Sequence, residues 1–88
     1  MKIKYGFTLR NIAGKMVVLP FGASTVDFTG MLSLNESGVL LWRMLEEGCT
    51  REDMAKALTD EYDVSYDMAL NDVNEFLENL IRVGCIED

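Results

Sequence analysis

The chain has 88 residues, of which 49% are hydrophobic and 26% charged, a balance typical of folded proteins that excludes a disordered chain. Its net charge is −7, and no run approaches the ~20 apolar residues that a transmembrane helix needs. The length predicts a single domain over residues 1–88. The N-terminus has lysines without an apolar segment behind them, so we expect no signal peptide and a cytoplasmic location.

The residue types present argue against catalysis and metal binding. The chain has no histidine, the commonest general base and transition-metal ligand, and no glycine-rich phosphate-binding motif. Its two cysteines, Cys49 and Cys85, lack the spacing of a metal site and are predicted to be reduced thiols. We therefore expect a protein that is not an enzyme and that carries no cofactor and no metal.

The first third of the sequence is predicted to form β-structure. Apolar residues alternate with polar ones over Phe7–Ile12, and a β-branched run over Lys15–Pro20 ends at a proline. Ala-Gly at 13–14 can make the tight turn of a hairpin between these strands. A loop rich in Gly, Ser and Thr follows, with a short strand at Thr25–Phe28. Met31–Leu34 is the third strand of the predicted sheet.

Two helices with clear capping residues are predicted next. Asn35 is a good N-cap for the first helix, which runs to about Glu47 and stops at Gly48. Thr50 and Asp53 have the spacing of a capping box and predict the start of the second helix.

The third predicted helix is the longest amphipathic segment. It follows Ser65 as N-cap and ends at Gly84, after which a short terminal strand is predicted. Its apolar residues recur at the i, i+3, i+4, i+7 spacing of a buried helical face. They are Tyr66, Ala69, Leu70, Val73, Phe76, Leu77, Leu80 and Ile81.

A hairpin, a third strand and three short helices predict an α+β, winged helix-turn-helix-like domain, with a three-stranded antiparallel sheet followed by three helices. Many such domains read DNA with the last helix, which needs a basic surface. Residues 36–88 carry four basic and fourteen acidic residues, whereas residues 1–35 have a net charge of +3. We therefore expect no nucleic-acid partner, and a nucleic-acid-binding regulator is kept as the alternative function.

Gly38 is an unusual residue for the first turn of a helix. On a wheel of about 100° per residue it falls in the apolar arc, between Leu45 and Trp42. A glycine on the buried side lets a strand or the ring of Trp42 approach closely. Alternatively, the apolar arc is wider than one core requires, and Leu40 and Met44 line an open groove.

An ordered set of residues resembles the pyrroloquinoline quinone biosynthesis protein D (PqqD) family over about residues 5–87. The set is Leu34, Asn35, Gly38, Leu41, Trp42, Leu45, Gly48, Thr50, Leu58, Tyr62, Asp72, Val73, Phe76, Leu77, Leu80, Gly84 and Ile86. The start "GFTLRNIAGKMVVLPFG" is more similar to stand-alone PqqD-like proteins than to the protein of the cofactor pathway itself.

The resemblance implies a recognition element for ribosomally made, post-translationally modified peptides. Members of the family have three strands followed by three helices, without catalytic residues or a cofactor. The leader part of a precursor peptide adds as a strand to the third strand, and its side chains enter a groove beside the last helix. The domain then presents the peptide to a modifying enzyme, often a radical S-adenosylmethionine (radical SAM) enzyme.

Carried over to this sequence, the resemblance implies peptide-binding residues in two elements. In the third strand they are Met31, Leu32, Ser33 and Leu34, and in the last helix they are Asp72, Glu75, Phe76 and Asn79. Because side chains alternate along a strand, a core-facing Leu34 leaves Met31 and Ser33 pointing outward. The alternatives are that Phe76 belongs only to the core and that the three polar helix residues form a solvated face.

The predicted partners are thus a precursor peptide and a modifying enzyme, with no membrane and no nucleic acid. A structural subunit of a maturation complex, bound through the apolar face of the first helix, is a further alternative. A homodimer formed through a strand edge, or by exchange of the N-terminal hairpin, is also open.

Overall fold

A computed structural model describes residues 1–21 and 32–87. In chain order the elements are β1 (Lys2–Ile3), β2 (Phe7–Ile12), β3 (Lys15–Pro20), β4 (Leu32–Leu34), α1 (Glu36–Glu47), α2 (Arg51–Glu61), α3 (Tyr66–Val83) and β5 (Ile86–Glu87). The predicted strand at Thr25–Phe28 and the predicted strand residue Met31 lie outside the described residues. The predicted fold class is confirmed, with an antiparallel sheet β2-β3-β4 followed by three helices.

The β2–β3 hairpin turns at the predicted Ala-Gly pair. Ala13 and Gly14 both have positive φ angles, 53° and 83°, the signature of the type I′ turns that connect twisted strands. The Gly14 N–H also donates to the Asn11 side-chain oxygen at 3.1 Å. The predicted alternation is wrong at Ile12, which is 46% exposed because it lies three residues after Leu9 and hence on the opposite face of β2, beside the turn.

A second, two-stranded sheet joins the ends of the described chain. In it, β1 pairs antiparallel with β5, placing Ile3 opposite Ile86, and the Lys4 N–H donates to the Cys85 carbonyl at 2.7 Å. The terminal strand after α3 was predicted, whereas β1 was not. Two residues are too few to show a period, so only tertiary pairing reveals this strand.

The three helices begin at the predicted caps, and α1 and α3 end at the predicted glycines. The Asn35 side chain accepts from the Gly38 N–H at 2.9 Å, and Ser65 Oγ accepts from the Met68 N–H at 3.2 Å. Thr50 and Asp53 form a complete capping box at the start of α2. α3 ends at Gly84 in the left-handed conformation.

Loss of the α2 capping box should be measurable as a loss of stability. We expect Thr50→Ala to lower the free energy of unfolding by about 1 kcal/mol, because the Asp53 N–H loses its acceptor, Thr50 Oγ1, while the backbone N–H of residue 50 can still donate to the Asp53 carboxylate. Urea denaturation measures this. Thr59→Ala, within the same helix, is the matched control and should change stability by less than about 0.5 kcal/mol. Equal effects of the two substitutions would contradict the role of the cap.

The core lies between the sheet and the three helices. It contains Leu9, Val18, Leu41, Trp42, Leu45, Met54, Ala55, Leu58, Ala69, Val73, Leu77, Leu80 and Cys85. The predicted apolar face of α3 is wrong at its two ends, since Tyr66 is 45% and Ile81 is 54% exposed. Tyr66 is the first helical residue, and Ile81 is rotated by about 100° from Leu80, which is fully buried at the same height of the helix.

Candidate functional site

Strand β4 lies at the edge of the three-stranded sheet. It pairs with β3 through Leu32, Ser33 and Leu34, and within residues 1–21 and 32–87 no strand pairs with its other edge. Leu32 and Leu34 are half-buried against the core and Ser33 is exposed, so Ser33 points outward as predicted. An edge strand leaves backbone N–H and C=O groups of alternate residues without a sheet partner.

Next to this edge lies an open groove of about 860 Å³, here named the β4 groove. Its walls are β4, the first turn of α1, the middle of α3 and the tip of the β2–β3 hairpin. Five of the eight predicted site residues line it: Leu32, Ser33, Leu34, Phe76 and Asn79. Asp72 and Glu75 line an adjoining depression that shares Phe76 with the groove, and Met31 lies outside the described residues.

Seven lining residues were not predicted as site residues: Gly14, Lys15, Met16, Asn35, Glu36, Gly38 and Val39. The antiparallel pairing of Met16 with Leu34 brings the hairpin tip beside the end of β4, which places Lys15 at the groove. Finding Lys15 would have required the register between β3 and β4, which are not adjacent in sequence.

Gly38 lies at the base of the β4 groove and is buried, as predicted. A Cβ atom there would lie 3.2 Å from Asn35 Oδ1, 3.3 Å from Leu34 Cβ and 3.4 Å from Phe76 Cε1. The close neighbours are therefore the end of the sheet and an α3 ring. Because Gly38 has no side chain, Phe76 rests against the start of α1, where it both packs on the core and lines the groove.

Leu40 and Met44, which widen the apolar arc of α1, do not line the β4 groove. Leu40 and Met44 both pack against the core. Met44 also lines a shallow depression with Cys49 between the end of α1 and α2, at the other end of α1 from the β4 groove.

Carboxylates dominate the charge around the groove. Glu36 lines it and Asp72 and Glu75 flank it, with Lys15 on the hairpin side. The ion pairs in the described part of the chain, Arg43–Glu46 and Lys56–Asp60, lie elsewhere. The exposed side of α3 presents Asp67, Asn71, Glu75, Glu78 and Arg82. This acidic surface is unfavourable for duplex DNA.

The two cysteines are free thiols that ionise poorly. Burial raises the pKa of Cys85 to about 11, and burial together with the charge of Asp53 raises the pKa of Cys49. Both are neutral at pH 7 and hence weak nucleophiles. Within the described residues, no group of three or more His, Cys, Asp or Glu could hold a metal ion. No helix in the same part of the chain could cross a membrane.

The raised pKa of Cys85 predicts a pH dependence of stability. The folded chain holds this thiol proton more tightly than the unfolded chain, whose ordinary pKa is 9.0. The resulting stabilisation is complete below pH 9 and is lost as the pH rises through about 11. We expect the free energy of unfolding to fall more steeply over this window in the wild type than in Cys85→Ala. Urea denaturation at several pH values measures the two slopes, and equal slopes would contradict the burial effect.

Comparisons with known proteins agree with this geometry. The family of coenzyme PQQ synthesis protein D (PqqD) matches residues 15–86, which include β3, β4 and all three helices. No curated protein matches the chain significantly.

Two solved structures share the fold over nearly their whole length. TbiB1 in complex with the TbiA(beta) leader peptide is 26% identical, with a TM-score of 0.79, and the match covers 99% of this chain and 95% of that one. A lasso peptide synthetase B1 complexed with the leader peptide is 24% identical, with a TM-score of 0.77 and coverage of 99% and 96%. With a family match over most of its length, the chain belongs to the PqqD family.

Proposed function

We propose that residues 1–88 form a single peptide-recognition domain that captures the leader of a ribosomally made precursor peptide and presents it to a modifying enzyme. The observation that carries the proposal is the edge of β4 that no strand within residues 1–21 and 32–87 occupies, directly beside an open groove with an apolar base. The edge supplies backbone hydrogen bonds to an added strand whatever its sequence, and the groove supplies selectivity.

The position of an added strand follows from sheet geometry. It would lie about 4.8 Å from β4, with side chains alternating between the two faces of the sheet. Side chains on the face of Leu32 and Leu34 would enter the groove above Phe76, and those on the face of Ser33 would remain in solvent. Met31, Asp72, Glu75 and Asn79 complete the proposed peptide-binding set.

The family and one neighbour above 25% identity support this role. TbiB1 was solved with a leader peptide, and this chain shares its fold and belongs to the PqqD family. Domains of this kind bind the precursor peptide and present it to the modifying enzyme, which performs the chemistry. We propose a radical SAM enzyme as that partner and the cytoplasm as the site of action. Neutral thiols and the lack of histidine accord with a non-catalytic adaptor.

The test is calorimetric titration with the two halves of the precursor peptide encoded beside this gene. The leader half should bind at one site, and the core half should not. Binding of the core half alone, or of neither half, would refute the proposed function. Addition of the protein should also speed modification of the full precursor by its enzyme, and Phe76→Ala should reduce that stimulation while Glu78→Gln, on the outer side of α3, should not.

The same edge of β4, unpaired in the described part of the chain, also favours one competing assembly, a homodimer in which two β4 strands pair. The peptide and the second copy would then compete for the same edge. Sedimentation at increasing protein concentration, with and without the leader half, separates the two: competition predicts that peptide converts dimer to monomer.

A further inference from the structure

The β4 groove does not end at Phe76. It is continuous with a depression of about 280 Å³ that shares Asn35, Gly38 and Phe76 with it and passes between the first turn of α1 and α3. This depression in turn shares Asn35, Ser37, Leu58 and Asp72 with a third cavity of about 300 Å³. The third cavity lies where the start of α1, the end of α2 and α3 meet, and we name it the three-helix corner.

The three-helix corner combines an apolar base with carboxylate walls. The base consists of Leu58, which is buried, and of Tyr62 and Val64, which are half-buried. The walls include Glu36 and Asp72, both exposed and neither in an ion pair within residues 1–21 and 32–87. A ligand here therefore meets an apolar surface and unneutralised negative charge together.

Tyr62 is affected both by desolvation and by the negative charge at the corner. Partial desolvation and the nearby carboxylates of Glu36 and Glu61 raise the pKa of Tyr62. A negative potential at this phenol attracts cations, and its ring face can contact a cationic head group.

Few side chains can both contact the apolar base of the corner and neutralise its carboxylates. A purely apolar side chain would desolvate the two carboxylates without compensation, and an acidic one would be repelled by them. Lysine and arginine have an aliphatic stem that can lie along Leu58 and Val64 and a cation that can reach Glu36 or Asp72.

We propose that the three-helix corner binds one lysine or arginine of the leader peptide, just beyond the segment that pairs with β4. The inference rests on the proposed function, because the groove leads the peptide to the corner. The corner begins at Asn35, the residue after β4, and Asp72 lies one helical turn, about 6 Å, from Phe76 along α3. The cation therefore lies about two or three extended residues past the strand-paired segment.

The test uses a displayed library of random peptides of about twelve residues, selected separately on three proteins. These are the wild type, the double variant Glu36→Gln/Asp72→Asn, and the matched control Glu47→Gln/Glu78→Gln, which removes the same charge at exposed positions away from the corner. The wild type and the control should enrich peptides with an alternating apolar segment followed or preceded at about two or three residues by Lys or Arg. The double variant should enrich the apolar segment without the cation.

A thermodynamic cycle makes the result quantitative. In the best wild-type peptide, replacement of the cationic residue by glutamine should weaken binding about fivefold to the wild type and to the control. The same replacement should leave binding to the double variant unchanged. Fluorescence anisotropy of labelled peptides measures the affinities, and circular dichroism verifies that each variant is folded.

The outcomes separate this inference from the proposed function. Two outcomes would refute cation binding at the three-helix corner and leave strand addition at β4 intact. One is enrichment of apolar peptides with no preference for Lys or Arg, and the other is a preference for Lys or Arg that persists in the double variant. Failure to enrich any extended apolar peptide would overturn both.

Discussion

Replacement of Ser33 by proline is expected to weaken leader-peptide binding by at least about tenfold. Ser33 is the middle residue of β4, opposite Val17 of β3. If its N–H points away from β3, proline removes a donor to the incoming strand. If its N–H points to β3, proline breaks the ladder that holds β4 in place. In both cases a peptide can no longer continue the sheet, and the lost free energy of binding is about 1.4 kcal/mol or more.

Ser33→Thr is the matched control, because it keeps the N–H and favours a strand. Its affinity should stay within about twofold of the wild type. Calorimetry gives the affinities, and thermal unfolding establishes that the proline variant remains folded. A folded Ser33→Pro protein with wild-type affinity would show that the peptide does not add to β4.

Gly38→Leu is expected to lower the free energy of unfolding by about 1–3 kcal/mol through overpacking. A Cβ atom alone would already lie within 3.2–3.4 Å of three atoms. Leu34 Cβ is fixed to a strand, and Asn35 Oδ1 is fixed by the hydrogen bond that it accepts from the Gly38 N–H. Only the Phe76 ring can yield, and it would move into the β4 groove. Leader binding should therefore weaken as well.

Gly38→Ala distinguishes the effect of overpacking from the effect of the low helix propensity of glycine. Alanine gains about 1 kcal/mol in helix propensity, which offsets the tight contacts of its single methyl group, so the net change should stay within about 1 kcal/mol. Thermal unfolding is sensitive enough, since 1 kcal/mol shifts the Tm of a domain of this size by about 4–8 °C. An unchanged Tm for Gly38→Leu would contradict the close packing of Gly38, Leu34 and Phe76.

Features determined by neighbouring residues in sequence were predictable. The helix ends depend on caps within four residues, as at Thr50 and Gly84, and the hairpin depends on the turn at Ala13 and Gly14. The burial of Gly38 follows from the helical period. The charge distribution can be counted directly along the sequence. The family resemblance, unlike the periodicity, implied that the third strand and the last helix form one peptide-binding groove.

Features that depend on tertiary neighbours or on distant pairing were not predictable. Ile81 lies at the edge of the apolar face of α3, about 100° round the helix from the fully buried Leu80, and which tertiary neighbours reach that edge is not contained in the helical period. Lys15 reaches the groove only through the β3–β4 register, and β1 exists only because β5 pairs with it. The three-helix corner likewise combines residues from three helices, none of which has a local signal for a cavity.

Strand addition at β4 is tested most directly by an amide NMR titration of the ¹⁵N-labelled protein with the leader half of the neighbouring precursor peptide. The account predicts that the largest shift changes fall on Leu32–Leu34 and on Asp72, Glu75, Phe76 and Asn79. It also predicts intermolecular contacts between the peptide backbone and β4. Shift changes confined to the end of α1 and the exposed side of α2, or no changes at saturating peptide, would contradict it.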